Sequence, residues 1–339
     1  MIANTTARLL IAATALAGLA ACGSSSTPSS SAPPASSAAA TGGAPAGGGA
    51  AGGTIAIITV DPSNPYWKAE VDTAKSAAEA LGYKTTTGAH KNKPDQQSSL
   101  IETAINSKVA GIILDPAGAK ESISAVQKAV DAKIPVVLIN AEINQTGLAK
   151  AQIVSNNAQG ATVGAEEWTK AINYKGEFVE LFGDPSDNNA QVRSDGYKAV
   201  IAQYPDLKQV GKEIANWDRQ QGQDKMEALL SAHPGITGVI AGNDEMALGA
   251  INALKAAGKL ATVKVLGFDG NQDAVNAVAS GDMVATVLQP IVAGTKKAVT
   301  QLDSYIKTGK TGVADEKQAL DCNLITKANA AKFNNFVPQ

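Results

Sequence analysis

Short runs of β-branched residues alternate with longer stretches of helical length, and this alternation most constrains the fold of the chain. The predicted strands are residues 55–60, 111–114, 136–139, 177–182, 238–241 and 263–268. The predicted helices, rich in Ala, Lys, Glu and Gln, are residues 66–81, 95–106, 122–132, 158–172, 191–203, 221–232 and 245–257. Strands that alternate with helices of this length form βαβ units. We therefore expect an α/β fold in which parallel sheets are covered by helices on both faces.

Composition limits the possible partners of the chain. Its 339 residues include 29 Lys or Arg and 31 Asp or Glu, which gives a formal net charge of −2. The two signs are interspersed, so the basic stripe that a nucleic-acid surface needs is missing. No Cys/His cluster in the sequence has metal-ligand spacing, and two cysteines cannot form a disulfide framework. The body that begins near residue 54 is long enough for two domains. We expect it to use neither a metal nor another cofactor.

The N-terminal region has the pattern of an export signal. An apolar run over residues 9–21 follows a single charge, Arg8. The run is too short to span a bilayer, which needs roughly 20 apolar residues. It fits the hydrophobic part of a secretory signal peptide, with small residues at the cleavage site. The sequence thus predicts a signal peptide over residues 1–21.

Residues 19–22, Leu-Ala-Ala-Cys, resemble the lipobox of bacterial lipoproteins. In that class Cys22 would become the lipid-modified N-terminus. The alternative is an ordinary signal peptide whose cleavage site happens to fall near a cysteine. Residues 22–53 consist almost entirely of Ser, Ala, Gly, Pro and Thr, a composition typical of a flexible tether. We expect an extracytoplasmic protein whose contact with the bacterial cell membrane is its lipid anchor alone.

Polar and aromatic side chains are concentrated just after the predicted strands. In open α/β sheets, ligands bind beyond the carboxyl ends of the strands. Asp accepts hydrogen bonds, Asn both donates and accepts, and hydroxyl-rich ligands need such partners. The aromatic residues Tyr66, Trp67 and Trp217 offer apolar faces to ligand C–H groups. Few of the residues at these strand ends are cationic, so this pattern favours a neutral, hydroxyl-bearing ligand.

Catalysis has little support in the sequence. Asp115 and Asp269 could serve as a general acid and base, but spacing reveals no nucleophilic partner for them. The chain contains neither a Gly-x-Ser-x-Gly nucleophile motif nor a Walker-type phosphate loop. Its glycines at 42–53 precede the first strand, so they are not a dinucleotide fingerprint. We expect a binding protein and not an enzyme.

Three stretches carry a resemblance to a known family. They are residues 64–67 (Asn-Pro-Tyr-Trp), 242–250 (Gly-Asn-Asp-Glu-Met-Ala-Leu-Gly-Ala) and 267–270 (Gly-Phe-Asp-Gly). The body, roughly 54–313, resembles periplasmic sugar-binding proteins of the ribose-binding type. Ribose-repressor-like transcription factors share these motifs, but they carry an N-terminal helix-turn-helix where this chain has its lipobox-like segment and tether.

This resemblance implies two Rossmann-like lobes, hinged by three crossing segments, with a sugar held in the cleft between them. We expect an N-terminal lobe of residues 54–154 plus 290–316 and a C-terminal lobe of residues 155–289 plus 317–339. The family's ligand-binding positions fall here on Asn64, Tyr66, Trp67, Asp115, Asn140, Gln191, Trp217, Asn243, Asp269 and Gln289.

Some of these positions depart from the ribose-binding pattern. Asp115 stands where that family has Asn, Asn140-Ala141 where it has Asp-Arg, and Gln191 where it has Arg. Two guanidinium clamps would then be missing, with Arg193 a structural residue beside the site. This makes ring-form D-ribose doubtful, and a buried anionic ligand would lack a paired cation.

The resemblance and its departures together predict the solute-binding component of an ABC importer. It would capture a small neutral polyol or monosaccharide, that is a tetritol, a pentitol or a pentose, and deliver it to the permease and ATPase subunits as a monomer. Two alternatives remain open. One is a sensory lipoprotein that presents its ligand to a signalling receptor. The other is a binder of a small cation, because Tyr, Trp and Asp side chains together can form an aromatic cage.

Overall fold

Strands and helices alternate along the chain in the computed structural model, which describes residues 52–339. The predicted signal peptide, Cys22 and almost all of the tether lie outside the described residues. In chain order, the first elements are β1 (Thr54–Thr59), α1 (Pro65–Ala80), β2 (Lys84–Ala89), α2 (Pro94–Asn106), β3 (Gly111–Leu114), α3 (Ile123–Asp131), β4 (Val136–Asn140) and β5 (Ala151–Ser155). They form the greater part of a first lobe.

The chain then passes into a second lobe and later returns. This lobe contains α4 (Asn157–Ala171), β6 (Gly176–Phe182), α5 (Asn188–Ile201), β7 (Leu207–Ile214), α6 (Arg219–Ala232), β8 (Gly238–Ala241), α7 (Asp244–Ala256), β9 (Lys264–Leu266), α8 (Gln272–Ser280) and β10 (Ala285–Leu288). The remaining elements are α9 (Ile291–Thr308), β11 (Lys317–Leu320), β12 (Asn323–Thr326), a 3₁₀ turn (Ala330–Lys332), β13 (Phe333–Asn334) and β14 (Val337–Pro338).

Each lobe is built on a six-stranded sheet. The first sheet has the order β11-β5-β4-β3-β1-β2 and is parallel throughout. The second has the order β12-β10-β9-β8-β6-β7 and is parallel except for the β10–β12 pair. Central strands such as β3, with the sequence Gly-Ile-Ile-Leu, are buried along their whole length. Helices on both faces exclude water from these strands, which confirms the predicted fold class.

Three segments connect the lobes, at residues 155–157, 288–291 and 320–323. The last of them corrects one predicted boundary. Lys317–Leu320 pairs in parallel with β5, so these four residues belong to the first sheet and not to the second lobe. β11 is a short, polar edge strand, and its sequence lacks the β-branched run by which the other strands were recognised.

Asn or Asp side chains cap six of the described helices that follow the carboxyl ends of strands. Each side-chain oxygen accepts a hydrogen bond from a backbone N–H in the first turn, where helical partners are absent. The caps are Asn64 (α1), Asn156 (α4), Asp187 (α5), Asp218 (α6), Asn243 (α7) and Asn271 (α8). Local helix chemistry therefore fixes polar residues at the strand ends, where the lobes face each other.

The C-terminal hairpin connects the two lobes a further time. Asn335 and Phe336 form its turn with φ angles of 46° and 64°. The backbone N–H of Asn335 donates to Gln272 of α8, 3.1 Å away, which holds the hairpin on the second lobe. The Phe336 ring meets Tyr66 of the first lobe edge to face, with ring centroids 5.8 Å apart.

Candidate functional site

A cavity lies between the lobes, at the carboxyl ends of both sheets. It is lined by Asn64, Tyr66, Trp67, Asn140, Asp187, Asn189, Arg193, Trp217, Asn243, Asp269 and Gln289. Eight of these were predicted from the sequence. The predicted residues Asp115 and Gln191 do not line the cavity. Among the described residues, no group of His, Cys, Asp or Glu is arranged to hold a metal ion.

A chain of hydrogen bonds runs from the cavity into the first lobe. The Tyr66 hydroxyl donates to Asn140 Oδ1 at 3.0 Å, and Asn140 Nδ2 donates to Asp115 Oδ2 at 2.9 Å. Asp115 is 1% exposed and lies behind Asn140. The ligand contact predicted for Asp115 is therefore wrong, because Asn140 stands between its carboxyl group and the cavity.

Glu70 extends this chain away from the cavity. It accepts a hydrogen bond from Thr59 Oγ1 at 2.8 Å and is 1% exposed. Burial raises the pKa of Glu70 to about 8. Burial and the neighbouring Glu70 carboxylate raise the pKa of Asp115 well above its ordinary value. Two carboxyl groups buried side by side hold a proton at neutral pH, because two adjacent charges would be costly there.

Aromatic side chains form two walls of the cavity. Trp67 lies in the first turn of α1 in the first lobe, and Trp217 lies between β7 and α6 in the second, with a φ of 64°. A Cβ atom at Gly183 would lie 2.2 Å from the Trp217 indole, so glycine is needed there for the ring to pack. Trp67 is 9% exposed and Trp217 is 5% exposed. Both residues line the cavity, and an indole offers a flat apolar face to a ligand.

Arg193 is the cation among the lining residues, and contacts with the second lobe hold its side chain in place. Its Nε donates to Asn157 Oδ1 at 2.7 Å and its Nη1 to the Gly242 carbonyl at 2.8 Å. The guanidinium carbon lies 4.0 Å from the centre of the Phe268 ring. Nη1 also lies 3.6 Å from Asp269 Oδ1, which makes a buried ion pair.

Asp269 combines this ion pair with a short hydrogen bond. Its Oδ1 accepts from Gln289 Nε2 at 2.6 Å. Burial raises the pKa of Asp269 to about 7, although the Arg193 charge opposes the shift. Its φ of 127° is rare for a residue with a side chain, and Asn140 has a φ of 65°. Such backbone conformations persist only where the surrounding structure holds them, and they cluster at functional sites.

Asn243 lines the cavity with both its polar atoms already engaged. Its Oδ1 caps α7 by accepting from the Met246 N–H at 2.9 Å, and its Nδ2 donates to the Trp217 carbonyl at 3.2 Å. The side chain thus holds the loop that carries Trp217. Its principal contribution to the cavity is to position that indole.

Gln191 lies on the wrong face of α5 to reach the cavity. It is exposed and donates to Asp195 at 2.7 Å. Asn189 and Arg193, four residues apart, occupy the buried face and line the cavity, and Asp187 caps the same helix. The interpretation of Arg193 as a structural residue beside the site is therefore corrected, because its side chain lines the cavity.

Hydrogen bonds between the lobes hold the cavity closed on one side. Asn189 Nδ2 of α5 donates to the Asn140 carbonyl at 3.1 Å, and Asn188 Nδ2 donates to Asn144 Oδ1 at 2.7 Å. The Ala119 N–H donates to the Ser186 carbonyl at 3.0 Å. The two lobes are therefore in a closed arrangement around the site.

Two buried polar atoms of cavity residues have no hydrogen-bond partner among the described residues. One is the donor Nε1 of Trp67, and the other is the acceptor Oε1 of Gln289. A buried polar group without a partner costs free energy, so such atoms need an explanation. A ligand in the cavity that both accepts and donates hydrogen bonds would satisfy them.

Comparisons with known proteins agree with this architecture. A family model described as periplasmic binding protein domain matches residues 55–311. The D-apiose import binding protein of Paraburkholderia graminis is 51% identical over 282 residues, which cover 83% of this chain and 90% of that protein. The D-apiose import binding protein of Actinobacillus succinogenes is 48% identical over 283 residues, covering 83% and 91%.

A solved structure has the same fold. It is an ABC transporter solute binding protein from Bacillus halodurans with bound myo-inositol, which superimposes with a TM-score of 0.78 at 26% identity. The match covers 86% of this chain and 100% of that one. The two-lobed architecture and the family resemblance seen in the sequence are confirmed, and the chain belongs to the periplasmic binding protein family.

Proposed function

We propose that this protein is the solute-binding component of an ABC sugar importer and that it captures a small neutral sugar in the interlobe cavity. The observation that carries the proposal is the lining of the interlobe cavity, which includes Trp67 with an unsatisfied donor, Nε1, and Gln289 with an unsatisfied acceptor, Oε1. A hydroxyl group donates and accepts, so a polyhydroxylated ligand can satisfy both atoms. The two indoles supply faces for its C–H groups.

The charges of the cavity support a neutral ligand. Arg193 is already paired with Asp269, and Asp187 adds a second carboxyl group to the lining. An anionic ligand would therefore meet an excess of buried acidic groups, which is costly. A small cationic ligand is disfavoured as well, because the Arg193 guanidinium lies 5.2 Å from the centre of the Trp217 ring and occupies one face of the aromatic cage.

We favour D-apiose, a branched five-carbon sugar, as the ligand. The two relatives that share about half of their residues with this chain carry its name. A pentose is among the ligands that the sequence predicts. A linear tetritol or pentitol is the second choice, since its hydroxyl groups could meet the same donors and acceptors.

Capture would proceed by hinge closure. The first lobe contributes Tyr66, Trp67 and Asn140, and the second contributes Trp217 and Asp269. A ligand that touches both lobes binds the closed state more tightly and shifts the population towards it. The closed surface would then be recognised by the permease. We propose binding without catalysis, as a monomer anchored outside the cytoplasm through a lipid on Cys22.

Isothermal titration calorimetry tests the proposal with D-apiose, xylitol, erythritol, D-ribose, D-ribose 5-phosphate and choline. We expect heat from D-apiose at micromolar affinity, which corresponds to about −8 kcal/mol. The phosphate ester and choline should give none. Heat from choline or the phosphate ester alone, or from none of the neutral compounds, would overturn the proposal.

A further inference from the structure

In the hydrogen-bond chain of Asp115, Asn140 and Tyr66, the donor and the acceptor of each bond are fixed. This order determines which role Tyr66 can play towards a ligand in the cavity. The hydrogen-bond chain begins at Asp115, whose Oδ2 accepts from Asn140 Nδ2 at 2.9 Å. An ionised carboxylate has only acceptor sites. It therefore orients the Asn140 amide with its NH₂ group towards Asp115 and its Oδ1 towards Tyr66.

The Asn140 amide transmits this orientation to Tyr66. Oδ1 has no hydrogen, so in the 3.0 Å contact the Tyr66 hydroxyl must be the donor. The hydroxyl hydrogen is then taken up by the contact with Asn140. Tyr66 lines the cavity. Because its hydroxyl hydrogen is already used, its phenol oxygen can only accept a hydrogen bond from a ligand.

Glu70 keeps Asp115 an acceptor even when the pair of carboxyl groups carries a proton. The two carboxyl groups are neighbours, and Glu70 Oε2 is buried without a hydrogen-bond partner among the described residues. Glu70 Oε1 already accepts from Thr59 at 2.8 Å. A proton held by the pair is therefore placed on Glu70 Oε2, and the Asp115 oxygen that faces Asn140 stays free to accept.

We infer that Asp115 is a specificity-determining residue that never touches the ligand: through Asn140 it makes the Tyr66 hydroxyl a hydrogen-bond acceptor, so that the site selects a ligand hydroxyl that donates at this position. The inference rests on the proposed function only for the identity of the ligand. The hydrogen-bond direction itself is a property of the ligand-free protein.

Neutron diffraction of the perdeuterated, ligand-free protein tests the direction independently of any ligand. We expect the Tyr66 hydroxyl deuterium on the line to Asn140 Oδ1, with amide deuterium directed at Asp115. In the isosteric variant Asp115→Asn, the new NH₂ group would face Asn140 Oδ1, so the Asn140 amide would turn over. The Tyr66 deuterium would then point into the cavity. A Tyr66 deuterium that points into the cavity in the wild-type protein would overturn the inference.

Binding measurements test the consequence for specificity, with D-apiose and its monofluoro-deoxy analogues as probes. Fluorine accepts a hydrogen bond but does not donate one. We expect one analogue to bind the wild-type protein about tenfold more weakly than D-apiose, because one hydrogen bond is lost. The preference for D-apiose over this analogue should vanish in Tyr66→Phe, which identifies the sugar hydroxyl that contacts Tyr66. The same preference should shrink or reverse in Asp115→Asn.

Glu70→Gln is the matched control, because its amide can donate to Asp115 and leaves the Asp115 oxygen an acceptor for Asn140. We expect it to keep the wild-type preference between D-apiose and the analogue. If Asp115→Asn weakened both probes equally, Asp115 would be a structural residue and the inference would fail. If the wild-type protein bound no D-apiose, the proposed ligand would be wrong. The neutron experiment would still test the direction of the Tyr66–Asn140 hydrogen bond, because it needs no ligand.

Discussion

Arg193 and Asp269 form an ion pair inside the cavity, with Nη1 3.6 Å from Oδ1 and side chains only 4% and 5% exposed. Removing one partner of a buried pair leaves the other charge without compensation. Each residue also has a neutral partner, since Gln289 donates to Asp269 and the Gly242 carbonyl accepts from Arg193. The pair therefore links α5 to the loop that follows β9, at the point where a ligand would sit.

Asp269→Asn should weaken sugar binding by about tenfold to a hundredfold, because hydrogen bonds to a charged group contribute about 1.5–3 kcal/mol. Titration calorimetry with D-apiose measures the change. Gln191→Ala is the matched control, since Gln191 lies on the outer face of α5 and should leave the affinity unchanged. A loss of affinity in Gln191→Ala with none in Asp269→Asn would contradict the placement of both residues.

Glu70→Gln should alter the pH dependence of stability. The Glu70 pKa is raised from 4.5 to about 8, so between these values the unfolded state releases a proton that the folded state keeps. The stabilisation is present below pH 4.5 and is lost as the pH rises to about 8. The variant should therefore lose less stability than the wild-type protein between pH 5 and 8, measured by urea unfolding.

Glu79→Gln is the control for this experiment, because Glu79 lies on the same helix and is exposed. It should leave the pH profile as it is in the wild-type protein. Equal pH profiles for Glu70→Gln and the wild-type protein would mean that Glu70 titrates near its ordinary pKa, and the shared proton would have to be abandoned.

Phe336→Ala should weaken ligand binding up to about tenfold, because an aromatic pair contributes about 0.5–1.5 kcal/mol beyond the area it buries. Phe336 belongs to a hairpin held on the second lobe, and its ring contacts Tyr66 of the first. Loss of the contact should favour the open state. Val337→Ala alters an exposed neighbour, 38% accessible, and should have no effect. An unchanged affinity in Phe336→Ala would remove the hairpin from the closure.

Cys22→Ser tests the proposed lipid anchor. In cell fractionation, the wild-type protein should sediment with the membranes, and the variant should either remain soluble or keep its signal peptide. Cys322→Ser serves as the control for loss of a cysteine. Wild-type protein found wholly in the soluble fraction would rule out the anchor.

The strand–helix alternation could be predicted because it depends on local sequence, and eight cavity residues could be predicted from the strand ends together with the family resemblance. β-branched runs identify buried strands, and ligand residues of α/β proteins follow the strand ends. Trp67, Asn140 and Asp269 are residues that follow strand ends. Their positions can be predicted from where a strand ends, without knowledge of how the lobes meet.

The helical residues of the site were missed because their exposure depends on helix face. Asn189 and Arg193 lie within α5, and the buried residues Ala190, Tyr197 and Val200 mark the face they share. The spacing of these apolar residues could have placed Arg193 inside and Gln191 outside. Asp115 was misplaced for another reason, because only side-chain geometry shows that Asn140 covers it.

A crystal structure of the protein with D-apiose tests the central claim most directly. We predict the sugar between the indoles of Trp67 and Trp217, with its hydroxyl groups in hydrogen-bond contact with Trp67 Nε1 and Gln289 Oε1. Density for the sugar anywhere other than between the lobes, with these two atoms still unpartnered, would contradict the account.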